Sequence, residues 1–214
     1  MRRPAPPPLV LLLAAGGVAA APVPLIIDTD MSSDVDDVLA VCMAHGLEQR
    51  GEARIIAIGH DAGYPKGAAM VSTLNHWYGR DDIPVGAYKG LYGRGPGREG
   101  TPPWDGGTEG GWVTGVYIER IVGDPRWPSP VQNSSQVEDA VVVYRKALAA
   151  APDRSVAMAM IGFATNMAGL LASPPDAASP LSGRELVARK VARVVWMGGG
   201  YPPRHAQGLE TFNF

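Results

Sequence analysis

Short apolar, β-branched runs alternate with stretches of helical periodicity along this chain, and that alternation leaves few folds open. Residues 23–28 end in Leu25-Ile26-Ile27-Asp28 and read as a buried strand. Residues 36–49 set Val38, Leu39, Cys42, Met43 and Leu47 at helical spacing, with acidic residues first and Gly51 as terminator. A second strand is expected at 54–59, a helix at 66–78 stopped by Gly79, and a third strand at 83–87. Ser135-Gln136-Val137-Glu138 has a capping-box pattern and predicts a helix to about Ala150. A strand at 156–161, a helix through Leu171, a second capping box at Ser182-Gly183-Arg184-Glu185 opening a helix to about Lys190, and a strand at 191–197 complete the series. Strand–helix–strand order of this kind predicts an α/β fold, with a mostly parallel sheet and right-handed crossovers.

The 214 residues suffice for one domain with a sizeable core, and 46% hydrophobic with 19% charged residues is globular composition. A formal net charge of −2 gives no basis for a nucleic-acid partner. Residues 89–134 change character: Gly, Pro and Trp dominate, and the segment reads as a Gly/Pro-rich insertion near the site with a short helix around 116–122. At the other end, Arg2 and Arg3 precede an apolar stretch at 9–21 that closes on Ala19-Ala20-Ala21. This pattern predicts a signal peptide over 1–21 and an exported domain over 22–214, secreted or periplasmic, with no stable membrane association after cleavage. The single cysteine, Cys42, has no basic neighbour and is expected to be buried and inert.

Directly after the first strand, Asp28, Asp30, Asp34, Asp36 and Asp37 fall within ten positions. So much negative charge repels itself unless a cation neutralises it, and carboxylate oxygens suit hard divalent ions. The carboxyl end of a strand entering a helix is also where an open α/β sheet places its active site. The plainer alternative is an acidic helix start that suits the helix dipole; Asp34 fits a ligand, an N-cap or surface equally. Two later strand ends, Gly162–Asn166 and Met197–Tyr201, would lie on the same sheet edge. Thr165 there can offer a backbone carbonyl to a cation, or Thr165 and Asn166 can cap the next helix. His60 and Asp61 follow a strand end and are expected as loop contacts facing the crevice. His45 and His76 read as structural. His205, Trp104 and Trp112 are candidates for contacts to a leaving group or an aromatic ring.

Four elements in this order resemble one known family. Asp28-Thr29-Asp30 with Asp36-Asp37, Phe163-Ala164-Thr165-Asn166-Met167-Ala168, Val195-Trp196-Met197-Gly198-Gly199 and Phe212-Asn213 are similar to the motifs of the inosine–uridine nucleoside hydrolases. The spacer Met31-Ser32-Ser33-Asp34-Val35 is longer than in many members, as in a variant branch. The resemblance implies an open, Rossmann-like sheet, a Ca²⁺ ion, and hydrolysis of the N-glycosidic bond of ribonucleosides or related N-ribosides through an oxocarbenium-like state. It implies Asp30 and Asp37 as carboxylate ligands and Thr165 as a carbonyl ligand. It makes Asp30 the base toward a calcium-bound water and Asp36 and Asn213 the sugar contacts, with Asp28 orienting its neighbours. Thr211 stands where the family usually has glutamate, and Tyr64 near a usual asparagine. The family's last metal-binding aspartate and its adjacent histidine belong to a segment beyond Asn213, so the domain is expected to be incomplete at its C-terminus. Two other readings stay open: a non-catalytic exported protein that binds calcium or sugar, and a haloacid dehalogenase-type phosphatase, which shares an Asp-Thr-Asp run after a strand. Homo-oligomerisation is left open.

Overall fold

A computed structural model describes residues 20–32, 34–90 and 116–198. The strands are β1 (Val23–Thr29), β2 (Ala53–His60), β3 (Val85–Ala87), β4 (Glu138–Asp139), β5 (Val156–Met160) and β6 (Val191–Trp196). The helices are α1 (Asp36–Gln49), α2 (Gly67–Trp77), α3 (Val116–Ile121), α4 (Ala140–Ala150), α5 (Thr165–Ala172) and α6 (Gly183–Lys190). Every strand pairs in parallel with its neighbour, in the order β4-β3-β2-β1-β5-β6.

That order decides where a site can lie. The chain lays strands outward from β1 on one side, then returns and places β5 and β6 on the other. The crossovers leaving β1 and β5 therefore diverge and open a crevice beyond their carboxyl ends, where open α/β sheets bind ligands. Adjacent residues of β1 show the layering. Ile26 joins a core with Tyr144 and Leu148 of α4, Met167 and Leu170 of α5, and Leu186 of α6. Ile27 joins a second core with Val41 of α1, Met70 and Leu74 of α2, and Ile118 of α3. Alternation along a strand sends successive side chains to opposite faces, so β1 is covered on both sides.

The expected elements are present, with one relocation. The helix anticipated from Ser135 begins at Ala140. Asn133, not Ser135, forms a capping box with Gln136, and it closes only a one-turn 3₁₀ helix at Ser134–Gln136. The chain then extends, and Glu138 and Asp139 pair with Gly86 and Ala87 of β3. Asp139 caps α4 by accepting from the Val141 amide at 2.8 Å. The sheet edge competed for these residues and won. Cys42 is half-buried rather than buried. No helix among the described residues is long and apolar enough to cross a membrane. Arg2, Arg3 and residues 9–19 of the apolar stretch at 9–21, like most of the 89–134 insertion, lie outside the described residues.

Candidate active site

Asp28 is the penultimate residue of β1 and is fully shielded from solvent. Its Oδ1 accepts hydrogen bonds from the Tyr144 hydroxyl at 2.5 Å and the Asn166 amide at 2.8 Å. Tyr144 reaches it from α4 only because residue 59 is glycine: a Cβ there would stand 1.8 Å from the tyrosine oxygen. Burial raises the Asp28 pKa to about 7, opposed by those two hydrogen bonds and reinforced by the charge of Asp30. Asn166 thus has a specific partner on β1; the α5 N-cap is Ala164, without a side-chain cap.

One residue on, the Thr29 hydroxyl donates to Asp37 on the first turn of α1. Asp37 is 4% exposed. Burial, then the charge of Asp30, pushes its pKa up to about 8. Asp34 and Asp36 are exposed, and the carboxylate oxygens of Asp34, Asp36 and Asp37 come within 4.8 Å of one another. Asp34 is not the helix cap: Val35 holds that position and no side chain caps the helix. Asp30 is half-buried between Asp28 and Asp37 and acts electrostatically on both.

His60 and Asp61 are wholly buried, not loop contacts at the crevice surface. The His60 Nε2–H donates to the Met31 carbonyl at 3.2 Å, and burial lowers the His60 pKa to about 4, so the ring is neutral near pH 7. Asp61 has its pKa driven well above the ordinary range by burial first, then by Asp28 and Asp30. Thr165 is 4% exposed, and its hydroxyl donates to the Asp61 carbonyl at 2.8 Å. β1, β2 and β5 therefore converge here through side chains as well as through the sheet ladder. Elsewhere the histidines are structural: His45 stacks on Tyr78 with ring centroids 4.3 Å apart and bonds Asn75, while His76 pairs with Asp81. Asn213, Phe212, Thr211, His205, Trp104 and Trp112 lie outside the described residues.

Tyr117 of α3 escaped the sequence reading. Its helix is pinned by Ile118 and Val122 in the core, and by Glu119, which accepts from Tyr64 at 2.6 Å and from Lys66. The Tyr117 hydroxyl is buried with no hydrogen-bond partner among the described residues. Burial and the charges of Asp37, Asp34, Asp36 and Asp30 raise its pKa, which keeps it a neutral donor facing the cluster. Lone tyrosines in an irregular insertion carry no periodic signal that marks them.

The donor set fits a hard divalent cation. Among the described residues no cationic side chain is a leading influence on Asp28, Asp37 or Asp61, yet all three are buried carboxyls. Among the described residues the clustered ligand atoms of Asp34, Asp36 and Asp37 are all oxygen, which favours calcium or magnesium over softer metals. A cleft of about 340 Å³ opens elsewhere, between the amino ends of β1 and β2 and the end of α4, lined by Arg54 and Arg80 among others. None of Asp28, Asp30, Asp34, Asp36, Asp37 and Asp61 lines it.

Comparisons with known proteins agree with the fold. Among solved structures, the type III effector protein XopQ, complexed with adenosine diphosphate ribose, superposes with a TM-score of 0.58 at 20% identity, over 88% of this chain and 46% of that one. A plant nucleoside hydrolase gives 0.54 at 18% identity, over 84% of this chain and 48% of that one. Likeness at this level shows the shared α/β fold, and the chain spans about half the length of each structure. No curated protein sequence matches. A sequence model of a single family covers residues 25–214, and it removes the grounds for a haloacid dehalogenase-type phosphatase. The chain belongs to the inosine-uridine preferring nucleoside hydrolase family.

Proposed function

We propose that this chain is an exported, Ca²⁺-dependent N-glycosyl hydrolase acting on ribonucleosides or related N-ribosides. The observation that carries the reading is the convergence of Asp28, Asp30, Asp36, Asp37 and Thr165 at the β1–β5 switch point, in a chain of this family. Asp30, Asp37 and the Thr165 carbonyl would hold the ion. A bound Ca²⁺ supplies positive charge that acidifies a water and anchors sugar oxygens.

The chain's own groups do the rest. Asp30 accepts the proton of the attacking water, and lies close enough to Asp37 for each to feel the other's charge. Asp36, exposed at the crevice, grips the ribose hydroxyls, and Asn213 adds a sugar contact. These carboxylates also stabilise positive charge developing on the ribose. Asp28, held by Tyr144 and Asn166, fixes the end of β1 and with it the orientation of Asp30. Tyr117 presents a neutral O–H to the sugar from the side opposite the sheet.

Purified chain with calcium, offered inosine, uridine and other ribosides, is expected to release free ribose. Absence of ribose from every substrate, by a chain shown to be folded and calcium-loaded, would rule the catalytic reading out and leave calcium or sugar binding alone.

A further inference from the structure

Tyr144 of α4 is fully buried among apolar side chains, in one core with Ile26, Leu148, Met158, Met160 and Leu170. A phenylalanine would fill that core as well. A hydroxyl there costs free energy unless a partner takes it. Its partner is Asp28 Oδ1, at 2.5 Å, and the same oxygen accepts from the Asn166 amide at 2.8 Å. The Asn166 amide also donates to the His60 carbonyl at 3.3 Å, which brings in the end of β2.

Two arms of the proposed ion site meet at this one oxygen. Asp28 stands two residues before Asp30 on the way out of β1, and Asn166 directly follows Thr165 in the first turn of α5. The sheet ladder joins the same arms further back, where the Ile161 amide donates to the Asp28 carbonyl at 2.8 Å. The side-chain tie carries that connection from the backbone of β1 and β5 to the residues that face the ion.

β2 sets the approach of Tyr144. Gly59 is the register partner of Asp28 across the β1–β2 ladder. A Cβ on Gly59 would stand 1.8 Å from the tyrosine oxygen and 2.5 Å from its Cζ. The missing side chain is therefore the opening through which α4 reaches Asp28, and an alanine would push the ring off it. We propose that Tyr144 is a positioning residue of the ion site: it orients Asp28 against Asn166 and so fixes the spacing between Asp30 and the Thr165 carbonyl. The assignment rests on the metal-dependent reading above and extends the site to α4, a helix that supplies no proposed ligand. Groups behind a metal's own ligands hold those ligands in orientation, and losing one typically costs about 10–100-fold in affinity.

Calorimetric titration of CaCl₂ into the metal-free full chain tests it, with thermal unfolding in chelator as the measure of fold. Tyr144→Phe keeps the packing and removes the hydroxyl, and calcium affinity is expected to fall about tenfold. Gly59→Ala leaves the hydroxyl in the chain but displaces it, and should reproduce that loss. Leu148→Val, one turn along α4, trims the same core without altering the hydroxyl; it should lower Tm while changing calcium affinity by less than about twofold. Wild-type calcium affinity in Tyr144→Phe or in Gly59→Ala would overturn the assignment. So would an equal loss in Leu148→Val, since packing alone would then account for the effect. If neither Tyr144→Phe nor Gly59→Ala folds in chelator, the tie is structural and the assignment fails. Wild type that takes up no calcium would instead remove the metal reading itself, and this assignment with it.

Discussion

Asp28 and Asp37 make the metal-free protein sensitive to pH in a definite direction. Their native pKa values stand at about 7 and about 8 through burial, against an ordinary carboxylate value of about 3.9 in an unfolded chain. Between those limits the native state holds more protons than the unfolded state, so stability falls as pH rises. In chelator, Tm is expected to drop between about pH 4 and about pH 8, by something on the order of 5–10 °C. Saturating calcium should flatten the curve, since the ion replaces the protons. A chelated protein that gains stability over the same interval would contradict the picture. At the same scale, Tyr144→Phe deletes a hydrogen bond to a buried carboxyl and should cost about 1–3 kcal/mol in denaturant unfolding. Tyr117→Phe should leave stability and calcium affinity alone while raising KM for ribosides about tenfold, the worth of roughly one hydrogen bond. An unchanged KM would remove Tyr117 from the sugar site.

Among the elements, α4 has an unadvertised second duty. Arg145, fully buried, reaches the 173–181 connection: Asp176 at 2.8 and 2.9 Å, Ser173 at 2.8 Å, and the Leu181 carbonyl at 2.8 Å. Its loss leaves these acceptors unpaired inside the protein. Arg145→Ala is expected to cost about 3–5 kcal/mol by denaturant unfolding, with ribose release per folded molecule unchanged. A change below about 1 kcal/mol would show that the loop holds itself.

The strands and most helices were legible in the sequence because periodicity reports which face is buried. The Asp28–Asp37 run and Thr165-Asn166 were legible because they follow apolar strands directly. The start of α4 was not, since Ser135–Glu138 satisfies a capping pattern locally, and only pairing with β3 decides otherwise. Tyr144 and Tyr117 were missed as site residues, and Asp61 was read as a loop contact rather than a wholly buried group, for a related reason. Each enters through a tertiary approach, permitted in two cases by Gly162 and Gly59, and spacing along the chain carries no trace of it.

For the whole molecule, the strand order is the functional statement: β1 and β5 are neighbours in space and distant in sequence, and the aspartates sit where they part. Among the described residues β6 is the last strand on that side, with Val194 42% and Val195 56% exposed on its two faces. An edge strand with apolar residues on both faces invites pairing. A homo-oligomer built on this strand predicts, in sedimentation velocity, association that rises with concentration and is reduced by Val195→Lys. A monomer at every concentration would set the edge aside.

The central claim is that the aspartates at the β1–β5 switch point hydrolyse N-ribosides with the help of a divalent cation. Ribose release from inosine and uridine, measured with calcium, with chelator, and for Asp30→Asn in calcium, tests it most directly. The account predicts turnover by wild type with calcium, its loss in chelator with recovery on re-addition, and a fall of about 10²–10⁴-fold for Asp30→Asn without loss of fold. Equal turnover in chelator, or by the asparagine variant, would contradict it.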